Sequence, residues 1–383
     1  MPTRGAMSQT ITRAAIAVVL SATLAADQSA PAAPPPAVPG YVEAWAVPVE
    51  NSGPFSLAVG QNAVFVAQED GIGAYAKADG KSLWTHARPG VTQLLASALA
   101  DAPLACVGAS ELVALDPATG DVRWTAPLTG AANRTYLAPF QGGGVTVASG
   151  STVRAYRRDG TVAWSASIPA GASTAAVERD GVAWVGTEAP SMVRLDVAQG
   201  SVLSQLRLTS PPQAIVTFSG ETYVVGSAPV LALYRSGDTK PSWQWKPKRG
   251  LSGLVGAPLV GDDFVFVTAL DNTLQAFDRG GGAVRWRQPL PSRPAPGLTE
   301  SGGFLFVPLI TGQVVRLSPV NGTKAPFAEM KLESNARLQA FQMDIDGAVF
   351  TMTVSAQTQA LTAWRPAAPA KLPQRPSRPR PAA

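Results

Sequence analysis

Eight times along the chain, a run of consecutive apolar residues is followed, after a small or polar turn, by a second apolar run that ends on a polar residue. The first runs are NAVFVAQ from 62, PLACVGA from 103, GGVTVAS from 143, GVAWVGT from 181, ETYVVGS from 221, DFVFVTA from 263, GFLFVPL from 303 and AVFTMTV from 348. Their partners are IGAYAK, LVALDP, TVRAYR, MVRLDV, VLALYR, LQAFDR, VVRLSP and ALTAWR. Runs this short, rich in β-branched and aromatic residues and bounded by Gly, Asn and Asp, predict strands. A further strand closes the unit around a tryptophan: Trp84, Trp124 and Trp164 lie 40 residues apart, each four after a glycine, Gly80, Gly120 and Gly160. Trp286 follows Gly282 in the same way.

A repeat of this length that supplies four short strands is the sequence signature of one β-propeller blade. The turns agree, since Asp79-Gly80, Asp159-Gly160 and Asn321-Gly322 tolerate the positive φ of tight hairpins, and DPATG at 116–120 suits a longer one. After ALTAWR the chain runs into prolines, whereas VEAWAVPV at 42–49 is a spare strand carrying Trp45. The predicted fold is therefore all-β, an eight-bladed propeller of four-stranded antiparallel blades whose last blade is completed by the N-terminal strand. Seven blades, or a two-part solenoid, are the alternatives. Some copies depart from the pattern: Ser204 and Pro326 stand four after Gly200 and Gly322, with Leu203 and Phe327 beside them, and in blade five Trp243 and Trp245 both compete for the position.

Composition supports many turns, with 36 Gly, 34 Pro and 15% charged residues in 383. Arg4 and Arg13 precede an apolar run that begins at Ala14, and Thr23-Leu24-Ala25 has the form of a cleavage site, so residues 1–25 read as a signal peptide. Retention of that segment as a membrane anchor is the alternative. Residues 26–41 read as a Pro/Ala-rich linker, 42–366 as the propeller and 367–383 as a disordered Pro/Arg-rich tail. No other segment is apolar enough to span a bilayer. The single cysteine, Cys106, cannot form an internal disulfide, and it lies in an apolar strand far from where a lipoprotein would be acylated. A buried inert thiol and no lipid anchor are expected.

The net charge of +5 resides in the two ends, because residues 28–366 hold 25 basic and 25 acidic side chains. That balance argues against nucleic acid binding.

The phrase Ala114, Asp116, Thr119, Gly120, Trp124, repeated as Ala276, Asp278, Gly282, Trp286, resembles the tryptophan-docking repeat of the pyrroloquinoline-quinone-type propellers. The resemblance covers 42–366. It implies structural blade-docking roles for Trp45, Trp84, Trp124, Trp164 and Trp286 and for Gly80, Gly120, Gly160 and Gly282. One branch of that superfamily comprises quinoprotein dehydrogenases that hold the quinone with calcium; they are longer, and the alcohol dehydrogenases stack a vicinal disulfide on the cofactor, which one cysteine cannot supply. The other branch, the propeller subunit of the bacterial outer-membrane β-barrel assembly machinery, is a noncatalytic scaffold and matches in length, blade count, closure and export.

Few side chains offer catalytic chemistry. His86 is the only histidine, so neither a histidine metal cluster nor a Ser-His-Asp triad can be assembled. Asp262-Asp263 and DIDG at 344–347 fall at hairpin turns, and the second lacks the downstream glutamate of a calcium loop. The glycines of RGGGAVRW and QGGGVTV lack the Lys-Ser/Thr of a phosphate loop. Arg154, Arg194 and Arg316 hold matching sequence positions in three blades, as solvated strand ends or as anion contacts at the channel rim. The expected protein is a monomeric, exported bacterial propeller, periplasmic or secreted, that binds envelope proteins with no catalytic set and no cofactor. The alternatives are an oxidoreductase using pyrroloquinoline quinone with calcium, and a ligand sensor.

Overall fold

A computed structural model describes residues 41–50, 56–97, 99, 101–129, 134–228, 230–235, 237–247, 253–325, 336–344, 346–355 and 358–366. The signal segment, most of the linker and the basic tail lie outside these residues. Within the unit Val38–Ala383, the chain forms eight antiparallel sheets, seven of them meanders in chain order and the eighth a meander joined by the N-terminal strand. Seven sheets have four strands; the seventh in chain order has a ladder of three, extended by an isolated bridge between Leu317 and Lys324.

The eight sheets are the blades of a closed ring. The described hydrophobic residues divide into eight buried clusters, and each cluster draws on two neighbouring blades. Eight joints for eight blades leave no gap. First strands of successive blades approach one another, which puts them at the inside of the ring. The joint between blades eight and one is built from Trp45, Phe350 and Met352 against Val64 and Val66.

Strand β1 (Tyr41–Pro48) provides the clasp. It pairs antiparallel with β2 (Gln359–Pro366), with Trp45 opposite Ala363 and Glu43 opposite Trp364, and so becomes the fourth strand of blade eight. This is the predicted closure.

Position in the blade explains the hydrophobic pattern. The second strand is covered on both faces by adjacent blades, so it is apolar at consecutive positions: Ala63–Gln68 buries five residues in a row and Gly144–Ser149 all six. Complete burial of Phe65, Phe266 and Phe350 removes most of the ring surface from water, about 1.5–3 kcal/mol per side chain. Fourth strands form the rim and alternate, as in Ser82–Ala87 and Val284–Pro289. First strands can be as short as three residues, such as Leu57–Val59 and Val177–Arg179, and they are half-buried against the channel. The hairpins joining strands one and two share a face of the ring with the turns joining strands three and four. In blade one, for example, Lys77 Nζ reaches the carbonyls of Gly60 and Gln61.

Candidate functional site

Among the described residues, six blades carry a tryptophan on the fourth strand that meets the glycine of the next blade. A Cβ on Gly120 would lie 2.7 Å from the Trp84 ring, on Gly160 2.6 Å from Trp124, on Gly80 2.7 Å from Trp45 and on Gly322 2.6 Å from Trp286. Trp164 faces Gly200 at 2.9 Å, and Trp243 faces Gly282. Trp243 thus takes the docking position in blade five, and Trp245 stacks edge-on against Phe277. The turn glycine also has positive φ, +79° at Gly120, so lack of a side chain serves both the turn and the ring above it. Five of these indoles donate to a backbone carbonyl of the receiving turn: Trp45 to Lys77, Trp84 to Pro117, Trp124 to Arg158, Trp243 to Arg279 and Trp286 to Pro319, all within 2.9–3.1 Å. Trp164 Nε1 is buried with no such acceptor.

Cross-strand register explains what surrounds each indole. In blades one, six and eight, an aromatic ring on the second strand, an alanine on the third and the tryptophan on the fourth stand in one row: Phe65, Ala74, Trp84; Phe266, Ala276, Trp286; Phe350, Ala363, Trp45. The small alanine lets the two rings meet over it, at 5.7, 5.8 and 6.0 Å between centroids. In blade four the row is Trp184, Arg194, Ser204. With no indole on the fourth strand, the Arg194 guanidinium lies over the Trp184 ring, 4.9 Å from its centroid. Blade seven repeats the exchange. Phe306 stands opposite Arg316, whose guanidinium covers Phe304 at 3.5 Å, while Pro326 and Phe327 lie outside the described residues.

This geometry revises the matched arginine trio. Arg194 and Arg316 sit on third strands, two strands out from the channel, and Arg316 is only 5% exposed. Arg154 belongs to neither row. The turn of blade three is one residue shorter, with Gly160 N bonded to Arg157 O, whereas Gly120 N reaches back to Asp116 O and Gly200 N to Asp196 O. Ala155 therefore stands opposite Trp164, and Arg154 points to the other face, opposite Ser165. A one-residue change in a turn reverses the face of every side chain before it.

The polar groups singled out in the sequence serve turns and joints. Asp116 Oδ1 accepts from Ala118 N and Thr119 N, and its other oxygen pairs with Arg123 at 2.8 Å. Asp278 does the same with Gly281 N and Arg285. These arginine hydrogen bonds, above all, hold both carboxyls below the usual carboxylate range. In DIDG, Asp346 caps its own turn at Ala348 N, and Asp344 forms an ion pair with Lys77 across the closing joint. The Lys77 carbonyl there also accepts from Trp45 Nε1 and from Arg365. Glu221 accepts from the fully buried Tyr223 hydroxyl at 2.6 Å and faces Arg235 and Arg279. His86 sits half-buried on the outer strand of blade one. Cys106 is buried, and loss of hydration raises its thiol pKa far above the ordinary value.

Concavities open on the ring among the described residues. At the channel mouth, a space of about 970 Å³ is bordered by blades three to six, including Tyr136, Ser173, Gln213 and Ala257, with Arg134 paired to Glu188 at its edge. On the hairpin face, a cleft of about 360 Å³ lies between blades one and two. Neither the mouth nor the cleft was legible from the chain alone, because each is assembled from loops of different blades with no shared motif.

These features define an eight-bladed propeller of the pyrroloquinoline-quinone repeat type. The family model for outer membrane protein assembly factor BamB matches residues 42–149, 68–215 and 189–367, and the chain belongs to that family. Among solved structures, it is similar to BamB from Moraxella catarrhalis, with TM-score 0.64, 17% identity and coverage of 85% of this chain and 97% of that one. It is equally similar in fold to the computationally designed Ika8 protein, with TM-score 0.68, 16% identity and coverage of 84% and 99%. No curated protein matches it in sequence. A calcium-bound quinone needs several converging oxygen donors. Among the described residues, no group of three or more His, Cys, Asp or Glu side chains converges, and the Glu188 carboxylate at the mouth is engaged by Arg134.

Proposed function

We propose that the protein is an exported, noncatalytic scaffold of the bacterial envelope that takes part in outer-membrane protein assembly by holding partner proteins on the faces of its ring. Family membership motivates the pathway. The observation that carries the noncatalytic reading is the fate of the reactive side chains: Asp116, Asp278, Asp344 and Glu221 are engaged in turns and joints, and Cys106 is buried. A rigid wheel with variable loops suits recognition.

The test is affinity purification of the tagged protein from detergent-solubilised envelopes. The expected result is stoichiometric co-elution of the β-barrel assembly subunit, with the tagged chain released by osmotic shock when that subunit is depleted. Retention of a chromophore and dye reduction after addition of pyrroloquinoline quinone with calcium would overturn the reading.

A further inference from the structure

The joint between blades four and five is built differently from its neighbours. The row that faces blade five is Trp184, Arg194, Ser204, and no indole crosses the joint from the fourth strand. On the receiving side, a Cβ on Gly237, in the turn between the third and fourth strands of blade five, would meet nothing within 4 Å, whereas Gly120 and Gly200 each meet a ring. The exchange leaves two polar atoms unsatisfied. Arg194 Nε and Ser204 Oγ, on side chains opposite each other across the third and fourth strands, are buried without a hydrogen-bond partner. Among the described residues the Arg194 guanidinium forms no ion pair and rests on the Trp184 ring. A buried charged donor without an acceptor is unfavourable, so an acceptor brought in from outside would be bound with little competition.

There is room for one. A pocket of about 70 Å³ opens between the hairpins of blades four and five, with Trp184, Arg194, Thr217 and Thr222 in its wall and Arg179 and Asp180 exposed at its lip. That volume exceeds twice the share of one water in the liquid, about 30 Å³. The pocket's carboxylates are already engaged. Asp180 lies 3.7 Å from Arg179, and Glu221 accepts from the Tyr223 hydroxyl at 2.6 Å and faces Arg235 and Arg279 at 3.5 and 3.4 Å. Four guanidinium groups thus stand against two carboxylates, and Arg194 holds the charge that no carboxylate answers. A guanidinium resting on a ring face keeps its fork of N–H donors for oxygen acceptors, the geometry that suits phosphate.

We propose that this pocket binds one phosphate-sized oxyanion, either free phosphate or the phosphate of a lipid head group, through Arg194, with Arg179 at the lip and the hydroxyls of Thr217 and Thr222 beside it. The site is independent of the partner proteins that the ring holds. It moves the anion contact of Arg194 from the channel rim to a joint between blades.

The test is calorimetric titration of the full-length protein with inorganic phosphate, against chloride at matched ionic strength. Saturable binding at one site per chain is expected. Arg194→Gln should weaken it about tenfold or more, the range of hydrogen bonds to a charged group. Arg179→Gln, at a side chain 44% exposed, should weaken it about two- to fivefold and decides the matter if Arg194→Gln does not fold. Arg207→Gln, exposed at the other end of the same strand pair of blade four, should bind like the parent. Flotation with phosphatidic acid vesicles separates the sources: flotation lost in the Arg194 and Arg179 variants assigns a lipid head group, and flotation indifferent to them assigns soluble phosphate. No heat beyond that of chloride in the parent would overturn the proposal. So would phosphate binding that neither variant weakens, the mark of an adventitious ion only.

Discussion

A glycine under an indole is the smallest unit of this structure, and its two duties can be separated by substitution. At Gly120 an alanine would meet both a φ of +79° and the Trp84 ring at 2.7 Å; at Gly181, φ is +78° but nothing lies within 4 Å. Left-handed backbone costs a residue with a Cβ about 1–2 kcal/mol, and overpacking a joint adds about 1–3 kcal/mol. Gly120→Ala should therefore lower stability in urea by about 2–5 kcal/mol and Gly181→Ala by about 1–2 kcal/mol; equal losses would show that the indole contact is slack. The carboxylates of the turns predict a pH dependence. Asp116 and Asp278 have folded pKa values below the unfolded one of about 3.9. Their arginine pairs thus add stability at neutral pH that is lost as pH falls through the depressed values. Arg123→Gln with Arg285→Gln should lower the urea midpoint slightly at pH 7, and the difference from the parent should vanish in acid. A difference that grew in acid would contradict the pairing. The Gly-x-x-x-Trp spacing was readable at this scale, but the partner of each indole was not, because the contact is with the following repeat. Arg154 misled because its six-residue distance to Gly160 equals that of Arg194 to Gly200, whereas the informative count was from Ala155 to Trp164, nine residues instead of the ten from Ala114 to Trp124.

Within a blade, the third strand adapts to the fourth. Alanine stands beneath an indole at Ala74, Ala114, Ala276 and Ala363, and arginine stands where blade four has Ser204. Such an exchange predicts coupling between neighbours. Ser204→Trp alone overfills the space held by Arg194, and Arg194→Ala alone uncovers Trp184. The double variant should recover part of both losses in a double-mutant cycle read by chemical denaturation; strictly additive losses would refute the exchange. Second and third strands were legible from their apolar runs in all eight blades. First strands such as Leu57–Val59, Gln93–Leu95 and Val177–Arg179 were not, since three residues hold no periodicity and they face the channel half-exposed.

The ring as a whole depends on its seam. Eight clusters, one per joint, make each blade rely on both neighbours, so an unclasped eighth blade would expose a sheet edge and loosen the cluster of Trp45, Phe350, Val64 and Val66. Closure was legible because a strand was missing after Trp364 and one was spare around Trp45. The concave surfaces were not, because they arise only when blades meet. Closure can be read directly by placing cysteines at the cross-strand pair Ala46 and Thr362, with Cys106 buried and unreactive. The clasped ring predicts that Ala46→Cys/Thr362→Cys forms an intramolecular disulfide under mild oxidation, seen as the loss of two free thiols and a raised melting temperature that reductant reverses. Two thiols that stay free in the folded protein, or that link only between molecules, would contradict the ring.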